Sequence, residues 1–356
     1  MKKIVKQVVG IDVAKDELVV CIGKMYDDWA PELICHKTFS NKQKGFKELM
    51  MLVSKLTDAS VEVRYVMEAT GVYHQLLAYY LHDQGQQVSI VLPNKISNYA
   101  RTLDTKTVTD KTASDAITMF GLERKLDCWT PPKGIYRILQ QLTRERSQLM
   151  EDRTVVLNQL HAESSEAMPN KKSIERANKR LALLDKQESE IKKEVAELIR
   201  TDDEVKKIVL LLCTIPGIGQ WTAATILGET NCFELIRNKR QVASYGGLDV
   251  NEKQSGTSIH GKPRISKKGN KHLRKAMHMP ALAAIRHNER YKGIFVRLVG
   301  KHGIKMKAVV AVQRKLLEMA YTIYITQTEF DNNYFENAIK SEKEIINEGI
   351  LADVES

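Results

Sequence analysis

The stretch VVGIDVAKDELVVCIG, residues 8–23, limits the fold more than any other part of the chain. Val8, Val9 and Ile11 read as a strand buried in a core, and the apolar run resumes at Leu18 after a tight turn around Ala14, Lys15 and Asp16. Asp12 interrupts that run. A carboxylate among water-excluding neighbours is costly unless it is paired or binds a cation. Asp12 is therefore either a turn or edge residue, or a ligand at a site built on a core strand.

The next hundred residues continue the alternation of strands and helices. CHKTFSN, from Cys35, reads as a third strand, and NKQKGFKELMMLVSKL has helical periodicity after Asn41. VRYVMEAT is a strand ending at Glu68, GVYHQLLAYYLHDQG an amphipathic helix stopped by Gly85, and QVSIVLP a strand stopped by Pro93, with Asn94 opening another helix. Early antiparallel strands followed by crossovers predict an α/β sheet covered by helices over residues 1–130. From 131 to 203 the character changes. Leu142, Leu149 and Val156 recur every seven residues, as do Leu184, Ile191 and Leu198, and EAMPNKKS breaks the pattern between them. This predicts a helical hairpin, a coiled coil, serving as a spacer or dimerisation arm. Residues 204–326 read as mainly helical, and 327–356 as a polar, acidic tail.

Glu68 changes the standing of Asp12. It ends a second strand where a helix begins, and sites gather at the strand ends of α/β sheets. Clustered carboxylates repel unless a divalent cation neutralises them, and oxygen-only ligands favour magnesium or manganese over zinc. Asp110 and Asp115 lie in TDKTASDAITMFGLERKL, which reads as a helix after Asp110. Five residues apart on one helix, they are rotated by roughly 140° and cannot both face the sheet. Asp110 either lies just before the helix and enters the site or is its N-cap. This strand order and acid placement resemble a ribonuclease H or RuvC-like nuclease domain, whose metal ions activate a nucleophile and stabilise the leaving oxygen.

LCTIPGIGQWTAATIL fits a helix, a turn and a second helix. Gly217 and Gly219 allow a tight turn whose exposed amides can hold a phosphate, as in a helix-hairpin-helix DNA-backbone motif; the alternative is an ordinary helix turn. Ser255 lies in a polar segment that reads as a flexible loop, and no Ser-His-Asp spacing accompanies it. Basic residues come after it, beginning with Lys262, Arg264, Lys267, Lys268, Lys271 and Arg274. Between Lys262 and Lys315 the one acidic residue is Glu289. The net charge of +11 is thus regional, and it suits a polyanion partner. The five cysteines are scattered with no CxxC pair, which supports neither a disulfide framework nor a zinc site and fits a reducing cytoplasm. No apolar stretch is long enough for a bilayer and no signal peptide is expected.

Together these stretches resemble one family, the insertion-sequence 110 transposases, also called DEDD transposases or bridge-RNA-guided recombinases. The matching pieces are GIDVAKDE, MEATGVYHQLLAYYL, the segment with Asp110 and Asp115, IPGIGQWTAATILGE, ASYGGLDVNEKQSGTS and ISKKGNKHLRKAM, in the family's order, up to about residue 325. The resemblance implies a RuvC-like N-terminal domain, a coiled-coil linker and a C-terminal transposase domain. It implies Asp12, Glu68, Asp110 and Asp115 as an acidic tetrad holding magnesium in a two-metal type site. It implies Ser255 as a nucleophile that joins covalently to DNA and forms one composite site with the metal.

Family members bind a structured RNA that pairs with donor and target DNA, so base pairing reads sequence while the protein reads backbone shape. The implied assembly is a dimer that builds a tetramer, associated with the nucleoid. One departure stands out. The family's usual ending is DxxDA, whereas here Thr112 stands three before Asp115. Either a local insertion preserves the site or only one of Asp110 and Asp115 is a ligand. One rival reading is a RuvC-like junction nuclease that uses water; a second, a non-enzymatic DNA- or RNA-binding protein with a degraded acid site, is disfavoured by the retention of both Asp12 and Glu68 in strand contexts.

Overall fold

The computed structural model describes residues 2–69, 71–103, 109–234, 236–251, 254–255, 259–260 and 264–331. The chain divides into two compact units, Met1–Pro131 and Pro132–Ser356.

In the first unit β1 (Ile4–Val13), β2 (Glu17–Tyr26) and β3 (Pro31–Ser40) form an antiparallel meander. Helix α1 (Gln43–Leu56) leads to β4 (Val63–Glu68), and α2 (Gln75–Asp83) leads to β5 (Gln87–Val91). β4 pairs parallel with β1 and β5 parallel with β4, so the sheet order is β3-β2-β1-β4-β5. Helices α3 (Pro93–Ala100) and α4 (Asp110–Glu123) complete the unit. The expected mixed α/β sheet is present. Helix α3 starts at Pro93 rather than Asn94, because proline suits the first helical position, where its missing N–H costs no bond.

β1 is central and covered on both faces, which is why its sequence is an apolar run rather than an alternation. Val9, Ile11 and Val13 pack with Phe46, Leu49 and Val53 of α1 and Leu77 and Leu81 of α2. On the other face Val8 packs with Val66, with Ile96 of α3, and with Ile117 and Leu122 of α4. Gly10 shares that second face. A Cβ on it would lie 2.2 Å from Thr118 Oγ1 and 2.5 Å from Thr118 N, so α4 meets β1 backbone to backbone. One turn on, a Cβ on Gly121 would lie 2.7 Å from Val8 Cγ1. Thr118 over Gly10 and Gly121 over Val8 mean that α4 runs opposite to β1, which carries its N-terminal turn toward the Asp12 end.

The second unit begins with α5 (Gly134–Ser164) and α6 (Lys171–Thr201). The ion pairs Arg146–Glu188 and Arg153–Asp185, both 2.7 Å, fix them antiparallel. Their heptad residues Leu142, Val156 and Ile191 are buried. At the base, Tyr136, Leu139, Val195 and Ile199 join the core of the later helices. These are α7 (Asp203–Cys213), α8 (Gln220–Thr230) and α9 (Lys239–Tyr245), then the short strands β6 (Val250–Asn251), β7 (Gln254–Ser255), β8 (Ile259–His260) and β9 (Arg264–Ile265). Helices α10 (Lys271–Ala276), α11 (His278–His287), α12 (Glu289–His302) and α13 (Lys305–Thr326) close the unit. This unit is mostly helical, as expected; most of the acidic tail falls in 332–356, outside the described residues.

Candidate active site

The parallel register runs Gly10↔Val66 and Ile11↔Met67. Asp12 and Glu68 are the next residues on the two strands, two positions beyond Gly10 and Val66, which face α4. Helix α4 then delivers Asp110. Burial, followed by the nearby charges of Asp110 and Glu68, raises the Asp12 carboxyl above the ordinary carboxylate range, partly offset by the Val13 backbone N–H. Three of the four sequence-predicted acids therefore share one charge neighbourhood at the end of the sheet.

Asp110 is neither ahead of the helix nor its cap, the two places expected for it. Thr109 is the N-cap and accepts from Thr112 N, while Thr112 Oγ1 accepts from Thr109 N, forming a reciprocal capping box. Asp110 occupies the first helical position, where a negative charge is favoured by the helix dipole. Thr112, the residue that departs from the family spacing, closes the cap.

Asp115 goes elsewhere. Its Oδ1 pairs with His36 Nε2 on β3, and it lies beside Cys21 on β2. Cys21 and His36 are register partners across the two strands. Both acids therefore reach the sheet, contrary to the expectation from their rotation of roughly 140°: Asp110 does so from the very first position of α4, at the helix end beside Asp12, and Asp115 from one turn further in, over β2 and β3.

In the second unit Ser255 is placed in a strand, not a loop. Ser255 pairs with Ile259 and Gln254 with His260, and this pair lies within the outer pair Val250↔Ile265 and Asn251↔Arg264. Lys262 lies outside the described residues. Arg264, Lys267, Lys268 and Lys271 are exposed. Arg274 is committed internally, donating from Nη1 to the Gly246 carbonyl at 2.8 Å. In the turn between α7 and α8, Gly217 has φ +86, and a Cβ on it would sit 2.3 Å from the Pro280 carbonyl oxygen of α11. Gly217 is thus needed for packing. Gly219, the N-cap of α8, has open space where its Cβ would be.

Residues 9–169 match the family model DEDD_Tnp_IS110, described as "Transposase", and residues 209–295 match a second, described as "Transposase IS116/IS110/IS902 family". Together the two matches span more than half of the chain. The chain belongs to the IS110 family of transposases. This IS110 transposase is 28% identical over 342 residues to the pilin gene-inverting protein of Moraxella bovis, covering 93% of this chain and 99% of that protein. Identity and coverage are the same against the pilin gene-inverting protein of Moraxella lacunata. Among solved structures, Thermus thermophilus RuvC in complex with Holliday junction substrate aligns at 10% identity and a TM-score of 0.26, over 35% of this chain and 99% of that one.

Two groups in the transposase are not evident from the sequence. One is the Cys21–His36 pair, which no short spacing announces. The other is Glu229, whose side chain is fully buried. Its carboxylate accepts two bonds from Arg144 Nε and Nη2, each 2.8 Å, and one from Asn270 Nδ2 at 2.6 Å. Asn270 Oδ1 in turn accepts from Leu273 N and caps α10. One buried carboxylate thereby ties α5 and α8 to the segment carrying Lys267–Arg274. A charge in the apolar helical run TAATILGE was its one visible signal.

Proposed function

We propose that this IS110 transposase cuts and rejoins the DNA strands of an insertion sequence by metal-assisted transesterification at Ser255, under the direction of a structured bridge RNA. The observation that carries this reading is the convergence of Asp12, Glu68 and Asp110 at one end of the sheet. The donor set fits a hard divalent ion: all three ligands are carboxylates, they repel one another, and one of them resists ionisation. Asp12, Glu68 and Asp110 would hold magnesium, or manganese, in a two-metal type site, with Asp115 the fourth acid of the family pattern. The chemistry so supplied is polarisation of a phosphoryl oxygen.

Ser255 Oγ attacks the phosphorus, so that an Oγ–P ester forms as a DNA P–O ester breaks and the displaced DNA oxygen takes up a proton. A second DNA hydroxyl then attacks the phosphoserine and releases Ser255. Each exchange trades one phosphate ester for another, so no external energy source is required. The exposed Arg264, Lys267, Lys268 and Lys271, with Lys262, suit contact with donor and target DNA and RNA backbones, and the open N-terminus of α8 at Gly219 suits a phosphate. Assembly as a dimer that builds a tetramer, and association with the nucleoid, complete the reading.

The test is a covalent adduct. Wild-type chain mixed with the element's end DNA and the RNA transcribed beside its gene should leave a protein–DNA complex that survives denaturing gels. Ser255→Ala should bind nucleic acid normally and leave none. Cleavage without any adduct would favour the water-using junction nuclease, and an adduct at Ser258 or Tyr245 would move the nucleophile.

A further inference from the structure

Cys21, His36 and Asp115 each offer one ligand atom, and these atoms all lie within 4.8 Å of one another. We propose that they form a binding site for a thiophilic divalent ion, zinc being the ion that fits, separate from the oxygen-only cluster of Asp12, Glu68 and Asp110. The donors are a thiol, an imidazole and a carboxylate, the set that zinc takes and magnesium does not. Bond lengths of about 2.0–2.3 Å to such donors place tetrahedral ligand atoms roughly 3.3–3.8 Å apart, so the cluster closes by small side-chain movements.

The frame is rigid. Cys21 and His36 face each other in register on β2 and β3. Helix α4 is held against β2 by Thr118 Oγ1, which donates to the Cys21 carbonyl at 3.2 Å. The Cys21 side chain is fully buried, while those of His36 and Asp115 are 29% and 26% exposed. Three protein ligands and one solvent-facing side leave a fourth position for water. Burial pushes the Cys21 thiol up to about 12, so the free site holds a neutral thiol and ion binding must release one proton to solvent.

The site uses the one acid that the geometry separates from the other three. If Asp115 also serves the acid cluster during strand transfer, zinc here inhibits that reaction. This consequence rests on the proposed function, whereas ion binding does not.

The experiment uses full-length chain stripped of metal with a chelator and titrated with Co²⁺. A thiolate-to-cobalt charge-transfer band should grow to one ion per chain, vanish on adding Zn²⁺ and persist in excess Mg²⁺. Cys21→Ser should lose the band, and Cys35→Ser should keep it. His36→Ala, at a partly exposed position, should weaken Zn²⁺ binding about tenfold or more by calorimetry. It therefore stands in for Cys21→Ser should that variant fail to fold. A folded wild-type chain with no band, a band that survives Cys21→Ser, or unchanged Zn²⁺ affinity in His36→Ala would overturn the site. Failure of strand transfer in every condition would strike the proposed function and leave the ion site standing.

Discussion

Asp115 pairs with His36 on a neighbouring strand, while Asp110, five residues earlier on the same helix, shares the electrostatic surroundings of Asp12. One helix thus carries two acids to two places, Asp110 from its first position and Asp115 from the turn that packs over β2 and β3.

Because Thr109 and Thr112 cap α4, Asp110 is not needed to start the helix. Asp110→Asn should leave thermal stability within about 0.5 kcal/mol. It should lower strand transfer about 100-fold or more, the scale on which one electrostatic contact to a reacting centre is lost. Parallel melting curves and transfer assays check this, and full activity in Asp110→Asn would remove it from the site.

Asp12 predicts a pH effect of defined sign. Its carboxyl is raised in the folded chain, so the folded state binds that proton more tightly than the unfolded chain does. The group therefore loses stability as pH rises from the ordinary carboxylate value, about 3.9, through its raised folded value, and the penalty persists at neutral pH. In metal-free buffer Asp12→Asn should melt higher than wild type at pH 7, with the gap closing toward about pH 4. Magnesium should raise the melting temperature of wild type more than that of Asp12→Asn. Equal shifts with magnesium would contradict the assignment.

Gly10 is the contact that seats α4. Gly10→Ala would drive a methyl group into Thr118 and push the helix off β1. Overpacking of this kind costs roughly 1–3 kcal/mol, and here it also displaces Asp110. Denaturant unfolding should report the loss, and strand transfer should fall further than stability alone explains.

Arg144→Ala would leave the Glu229 carboxylate buried without its cation. Stranding a buried charge in this way costs about 3–5 kcal/mol. Urea unfolding of the variant should show that loss, and a change under about 1 kcal/mol would mean that Asn270 and solvent satisfy Glu229 on their own.

Much of the first unit was legible in the sequence because its signals are local. An apolar run broken at Asp12, a strand ending at Glu68, and proline and glycine stops mark the elements and their order. The seven-residue repeats likewise marked the helical hairpin. The hidden features depend on register and packing. Nothing near Cys21 shows that His36 lies across from it, since that pairing is set by the β2–β3 turn. Thr109 as cap competes with Asp110 as cap in any single sequence, and only the bond to Thr112 decides between them. Gly217 reads from sequence as a phosphate-binding residue, and the close approach of the Pro280 carbonyl adds a packing need that the sequence does not show. The QSG segment reads as a loop because two-residue strands carry too few residues for a periodicity to appear.

The most direct measurement is the rate of DNA strand transfer in magnesium by wild type, Asp12→Asn and Glu68→Gln, on the element's end DNA with its flanking RNA. Both variants should fold, bind the nucleic acids and lose transfer by about 1,000-fold or more, because each removes a carboxylate from the reacting centre. Strand transfer at the wild-type rate by either variant would contradict the account.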